Sequence, residues 1–102
     1  MHFDKNDIEA NAQQRVIITV VGCDRVGIIA GVATTLSEQD VNILDISQTI
    51  LQEFFTMIMV VDIQQSKVAL QELQAILNNK GKELGVQITA QHEDIFKYMH
   101  RI

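Results

Sequence analysis

The sequence predicts an α+β domain, a four-stranded antiparallel sheet with two helices on one face. Three observations carry this expectation. The chain has 102 residues, 47% of them hydrophobic and 21% charged, the size and make-up of one soluble domain with a single two-layer core. Apolar periodicity alternates along it in the order strand, helix, strand, strand, helix, strand. The two middle strand segments are separated only by Gln52 and Glu53, too few residues for anything but a tight hairpin. That order is the split βαβ, or ferredoxin-like, arrangement.

Residues 1–14, MHFDKNDIEANAQQ, are polar apart from Phe3 and Ile8 and read as a flexible N-terminal extension, leaving 15–102 as a single domain with a C-terminal tail. Residues 15–21, RVIITVV, form a β-branched run without polar alternation, which suits a strand at the centre of a sheet. It ends at Gly22. From about Gly27 the apolar positions Ile28, Ile29, Val32, Ala33 and Leu36 stand against Thr35, Ser37, Glu38 and Gln39, the spacing of an amphipathic helix that stops near Gln39 or Asp40.

Residues 42–51 are rich in Ile and Thr, and residues 54–63 are apolar almost throughout; they form the two hairpin strands. Ser66 is the expected N-cap of a second helix. Ala69, Leu70, Leu73, Ile76, Leu77 and Leu84 follow helical spacing after it, with Lys80 and Lys82 near the C-terminal end of the dipole. Gly85 breaks that helix, and Val86, Ile88 and Ala90 then alternate with Gln87, Thr89 and Gln91 in a strand with one wet face. The tail 93–102 carries Ile95, Phe96, Met99 and Ile102 at helical spacing, a short C-terminal helix that needs a surface to lie on.

Right-handed crossovers put the first and third strands in the middle of the sheet. Because both are apolar, the face away from the helices is not expected to be fully wet, and a second copy of the chain is the simplest cover.

Eight basic residues against thirteen acidic ones give a formal net charge of −5, which works against a nucleic-acid partner. No apolar run reaches the ~18 residues of a membrane span and residues 1–14 lack the apolar core of a secretory signal, so a cytoplasmic protein is expected. Cys23 is the only cysteine, which excludes an internal disulfide, a CxxC pair and a cysteine-based zinc site. No histidine lies near it in sequence, and it reads as a small packing residue rather than a nucleophile. The Ser and Thr residues have no nucleophile elbow or placed base, so no enzyme and no cofactor are expected. His92, Glu93 and His100 match no zinc spacing, and no metal is expected either.

The stretch GCDRVGIIAGV, residues 22–32, is the most informative part of the chain. Gly22 and Gly27 have the GxxxxG spacing, yet Ile28 and Ile29 stand where a phosphate-binding loop needs Lys and Ser or Thr. The loop still delivers the chain to a helix N-terminus, where N–H groups and the positive dipole end favour a carboxylate. Asp24 is either a cap or turn former, or a carboxylate for a ligand's ammonium group, or both. Arg25 is either a solvated charge or a partner across a subunit boundary. Asn42 is either a turn residue before the second strand or an amide that both donates to and accepts from a ligand. Asp24 and the helix N-terminus would face one small space, with Asn42 as its third wall.

Gly22-Cys23-Asp24-Arg25-Val26-Gly27-Ile28, followed by a helix and then Asp40-Val41-Asn42-Ile43, resembles the ACT domain, a small regulatory module that binds amino acids or related metabolites. The resemblance runs from about Arg15 to His92. The ending His92-Glu93-Asp94-Ile95-Phe96 and Met99-His100-Arg101-Ile102 is similar to that of a bacterial group of stand-alone ACT proteins related to the transcriptional regulators of the glycine cleavage system. The resemblance implies a ligand held between the loop after the first strand and the start of the second strand, often at a dimer interface. It points to Asp24, Arg25, Val26, Gly27, Ile28 and Asn42 as ligand-binding residues. Gly22 stands where serine-binding members present His, and Val26 where many have Pro.

The expected function is therefore a non-catalytic regulatory homodimer that binds a small amino acid or related metabolite. The alternative is an interaction module that pairs its sheet with a protein partner and takes no small ligand.

Overall fold

The computed structural model of the protein describes residues 14–23 and 26–95. Their elements follow the expected order: β1 (Arg15–Cys23), α1 (Ile28–Glu38), β2 (Asn42–Leu51), β3 (Phe54–Asp62), α2 (Leu70–Leu84) and β4 (Val86–His92). The sheet runs β2-β3-β1-β4, all neighbours antiparallel. The two most apolar strands thus take the centre, as their composition demanded.

Alternation within those strands builds the core. Val16, Ile18 and Val20 of β1 face the helices beside Phe55, Met57, Met59 and Val61 of β3, and all seven are essentially inaccessible. Val32 and Leu36 of α1 and Leu73 and Leu77 of α2 close over them. Burying four such helix side chains, at ~1.5–3 kcal/mol each, stabilises both helices far more than their intrinsic propensity does.

Helix α1 is stopped by geometry rather than by glycine. Asp40 adopts φ 58°, and the amides of Asp40 and Val41 donate to the carbonyls of Ser37 and Leu36 at 3.0 Å each, the paired bonds of a left-handed helix end. At the hairpin, Gln52 takes φ 58°, the positive φ that a two-residue connection requires.

Two expectations are corrected. Strand β1 continues past Gly22 to Cys23, because β3 supplies backbone partners to both residues and β4 to Gly22. The N-cap of α2 is Ala69, not Ser66. The Ser66 hydroxyl instead accepts from the Val68 amide at 3.1 Å and donates to the Val68 carbonyl at 2.9 Å, so it is used up in a turn ahead of the helix.

At the C-terminal end of β4, Glu93–Ile95 begin a helical turn. Glu93 Oε2 meets Arg15 Nε at 3.1 Å, and His92 Nδ1 accepts from the Asp94 amide at 3.2 Å. The rest of the expected tail helix lies outside the described residues. Among those described, no helix is long and apolar enough to cross a membrane.

Gly81 in α2 is where helix and sheet come closest. A Cβ there would lie 2.7 Å from the Val86 carbonyl oxygen and 3.3 Å from Ile88 Cγ1. Gly81→Ala gains about 1 kcal/mol in helix propensity but must push the β4 backbone away, so a net loss of ~1–3 kcal/mol is expected from overpacking. Urea unfolding followed by circular dichroism measures it; a more stable variant would show that α2 and β4 are not this close.

Candidate functional site

The loop after β1 and the start of α1 form one half of the expected site. Gly27 is the N-cap, with φ 93° and ψ −1°. That left-handed conformation suits a residue without Cβ. The first helical bond runs from the Gly31 amide to the Gly27 carbonyl at 2.8 Å, so the amides of Ile28, Ile29 and Ala30 have no acceptor within the helix. No acidic side chain stands in the first turn. This end of α1 therefore presents N–H groups and a positive dipole end with no negative charge of its own in the turn.

The expected residues are placed as follows. The Val26 side chain is fully exposed beside Gly27. The Ile28 side chain is buried in the core, which leaves only its backbone for a ligand. Asp24 and Arg25 lie outside the described residues. Gly22 is packed against β4, where a Cβ would fall 2.8 Å from Val86 Cγ1 and 3.1 Å from Val86 Cα. The histidine that serine-binding ACT members carry there has no room without moving the β4 backbone.

Asn42 is not brought to this loop within one chain. It pairs in register with Asp62 of β3, which also pairs with Arg15, the first residue of β1. Cys23, the last residue of β1, pairs with Phe54, which also pairs with Leu51. Asn42 and the loop therefore stand at opposite ends of a nine-residue strand, about 27 Å apart at ~3.4 Å per residue. The reason is topological: α1 starts where β1 ends and carries the chain back along the sheet before β2 begins.

At its own end Asn42 lines a groove of about 690 Å³ between the last turns of α1 and the end of β3, with Ser37, Asp40, Asp62, Gln64 and Gln65. Asp62 Oδ1 accepts from the Gln64 amide at 2.9 Å, and the Lys67 ammonium stands 4.0 Å from Asp40 Oδ2 at the surface. The lining offers a hydroxyl, two carboxylates and three amides, chemistry suited to a ligand's ammonium or hydroxyl groups. The participation of Asp62, Gln64 and Gln65 was not read from the sequence. The signal is there only as strand register, since Asp62 ends β3 opposite the residue that starts β2.

With the fold and these two ends in view, the comparisons with known proteins are decisive. The ACT domain family matches residues 14–91. The chain belongs to the ACT domain family. A UPF0237 protein of Methanocaldococcus jannaschii is 57% identical over 88 residues, covering 86% of this chain and 98% of that protein. The solved structure of an ACT domain protein from Streptococcus pneumoniae is 44% identical and superposes with a TM-score of 0.72, covering 80% of this chain and 92% of that one. The regulatory subunit of aspartate kinase from Thermus thermophilus, at 23% identity and a TM-score of 0.61, covers 79% of this chain and 52% of that one, a likeness of fold alone.

Gly27 allows a test of the loop that leaves packing untouched. An added Cβ would meet nothing within 4 Å, so Gly27→Ala should lose only the cost of a left-handed non-glycine residue, ~1–2 kcal/mol. Thermal and urea unfolding should agree on that figure. A neutral effect would mean that Gly27 leaves the left-handed region in solution.

Proposed function

We propose that this ACT protein is a non-catalytic regulatory module that binds a small amino acid, or a related carboxylate metabolite, between two copies of the chain. The observation that carries this reading is the separation of Asn42 from the β1–α1 loop. Two copies placed side by side and antiparallel put the Asn42 end of one beside the loop end of the other.

The two ends are chemically complementary to a zwitterion. The start of α1 in one copy offers N–H groups and the dipole's positive end to a carboxylate. The groove of the other offers Asp40, Asp62 and the Asn42 amide to an ammonium group. Asp24 and Arg25 follow Cys23 directly in sequence and contribute from the loop. Because each ligand bridges two chains, binding stabilises the paired state over the separated one, and that bias is the regulatory output. The protein acts in the cytoplasm and needs no cofactor.

A second reading, a protein-interaction module without a small ligand, is favoured by one observation. Val21, Phe54 and Ile58 are exposed on the sheet face away from the helices, an apolar strip that a protein partner could cover.

A thermal-shift screen against the common amino acids separates the two. A ligand at 100 times its Kd adds about 2.7 kcal/mol to stability, a shift of several degrees for a domain of this size. Asp24→Ala and Asn42→Ala should each abolish the shift. An equimolar mixture of the two variants, unfolded and refolded together, should regain binding, because the mixed pair contains one intact site. Failure of the mixture to bind would place the site within one chain, and no shift with any amino acid would favour the interaction module.

A further inference from the structure

We infer that residues 96–102 continue the turn after β4 as a helix that lies across the helix-free face of their own sheet. That face is apolar along a diagonal. Because Val16, Ile18 and Val20 of β1 and Phe55, Met57, Met59 and Val61 of β3 point to the helices, Ile17, Val21, Phe54, Ile58 and Val60 point the other way. Ile17 and Val60 are half-buried, whereas Val21 (44% exposed), Ile58 (46%) and Phe54 (52%) are bare. Beside them stand Thr19, Thr49 and Thr56, and Asp45 in register with Val60.

The chain leaves β4 toward this face. Arg15 alternates with Val16 and so points to the helix-free side. Glu93, the first residue after β4, brings its Oε2 to 3.1 Å from Arg15 Nε, and the Glu93 side chain is 12% exposed. The ion pair holds the start of the turn on the same side as the apolar strip. Gln91, two residues earlier, is in register with Ile17, so the turn stands at the half-buried end of that strip.

The sequence that follows suits such a surface. On a helix, Ile95, Phe96, Met99 and Ile102 fall within an arc of about 120°, and Lys97 and Arg101 fall opposite them, toward water. The lengths agree as well. From His92 to Ile58 is two strand spacings across and three residues along, about 14 Å, and a helix over 93–102 rises about 15 Å. Its path crosses Ile17 and Val60 and brings Met99 and Ile102 to Ile58.

The tether decides between this segment and a separate chain. Joined to β4 through the turn, the segment meets the strip at a millimolar effective concentration, so a contact too small to hold two molecules together still forms. Val21 and Phe54 lie beyond its reach, and they are what remains of the strip for a protein partner. The inference does not depend on the proposed ligand.

The test uses the full chain carrying Cys23→Ser and Ile58→Cys. Its one thiol should react with a maleimide about ten times more slowly than in the same chain with residues 96–102 deleted, and dilution should not change the ratio. Met99→Lys, which sets a charge in the apolar stripe, should raise the rate as the deletion does while the circular dichroism spectrum stays native. Lys97→Ala, on the outer side, should leave the rate as it is. With Met99→Cys added, oxidation should close a disulfide within one chain, because the two positions come within bonding range. A thiol equally reactive with and without residues 96–102, or a rate raised as much by Lys97→Ala as by Met99→Lys, would overturn the inference. A disulfide that runs between chains, or protection lost on dilution, would overturn it too and give the face to a second copy.

Discussion

The register between β1 and β3 is the constraint on which the rest depends. It sets Val16, Ile18 and Val20 beside Phe55, Met57, Met59 and Val61 on one face, and those seven side chains form the floor that both helices cover. A slip of one residue would turn every one of them to the other face. The same register carries β2 and β4 with it, because each pairs with one of these two strands and with nothing else.

The helix layer is not centred on that floor. Helix α2 sits over β4 and α1 bridges back toward β2, so the sheet is well covered at one edge and bare at the other. This asymmetry, more than any single residue, separates the scaffold from the working parts. The buried half is mostly Leu, Ile, Met and Val, with Phe55 and Ala90 among them. The candidate site residues stand at the two ends of α1, where the backbone turns through left-handed residues, Gly27 at the start and Asp40 at the finish.

Much of the fold was legible because its signals are local. Both bounds of β2 and the hairpin at Gln52 and Glu53 match the sequence expectation, since a two-residue gap between apolar runs leaves little choice. Gly85 ends α2 as expected, with φ 74°. Ser66 misled because a hydroxyl before a helix can equally well close a turn of its own. The candidate site was half legible. Gly27 and Asn42 stand out in the sequence, but their placement at opposite ends of the sheet is a property of register, which local pattern does not carry. For the same reason the groove partners Asp62, Gln64 and Gln65 were invisible, and Ile28, expected at the ligand, points into the core.

The hydrogen bond from Gln74 to Ala90 carries a meaning larger than its own free energy. A sheet with two open edges can add copies indefinitely, as filaments do. With the Ala90 carbonyl taken by its own helix, the β4 edge offers one acceptor fewer to an added strand. A glutamine on the surface of a helix thus makes one edge of the sheet a poorer template for a further strand than an edge whose backbone groups are all free.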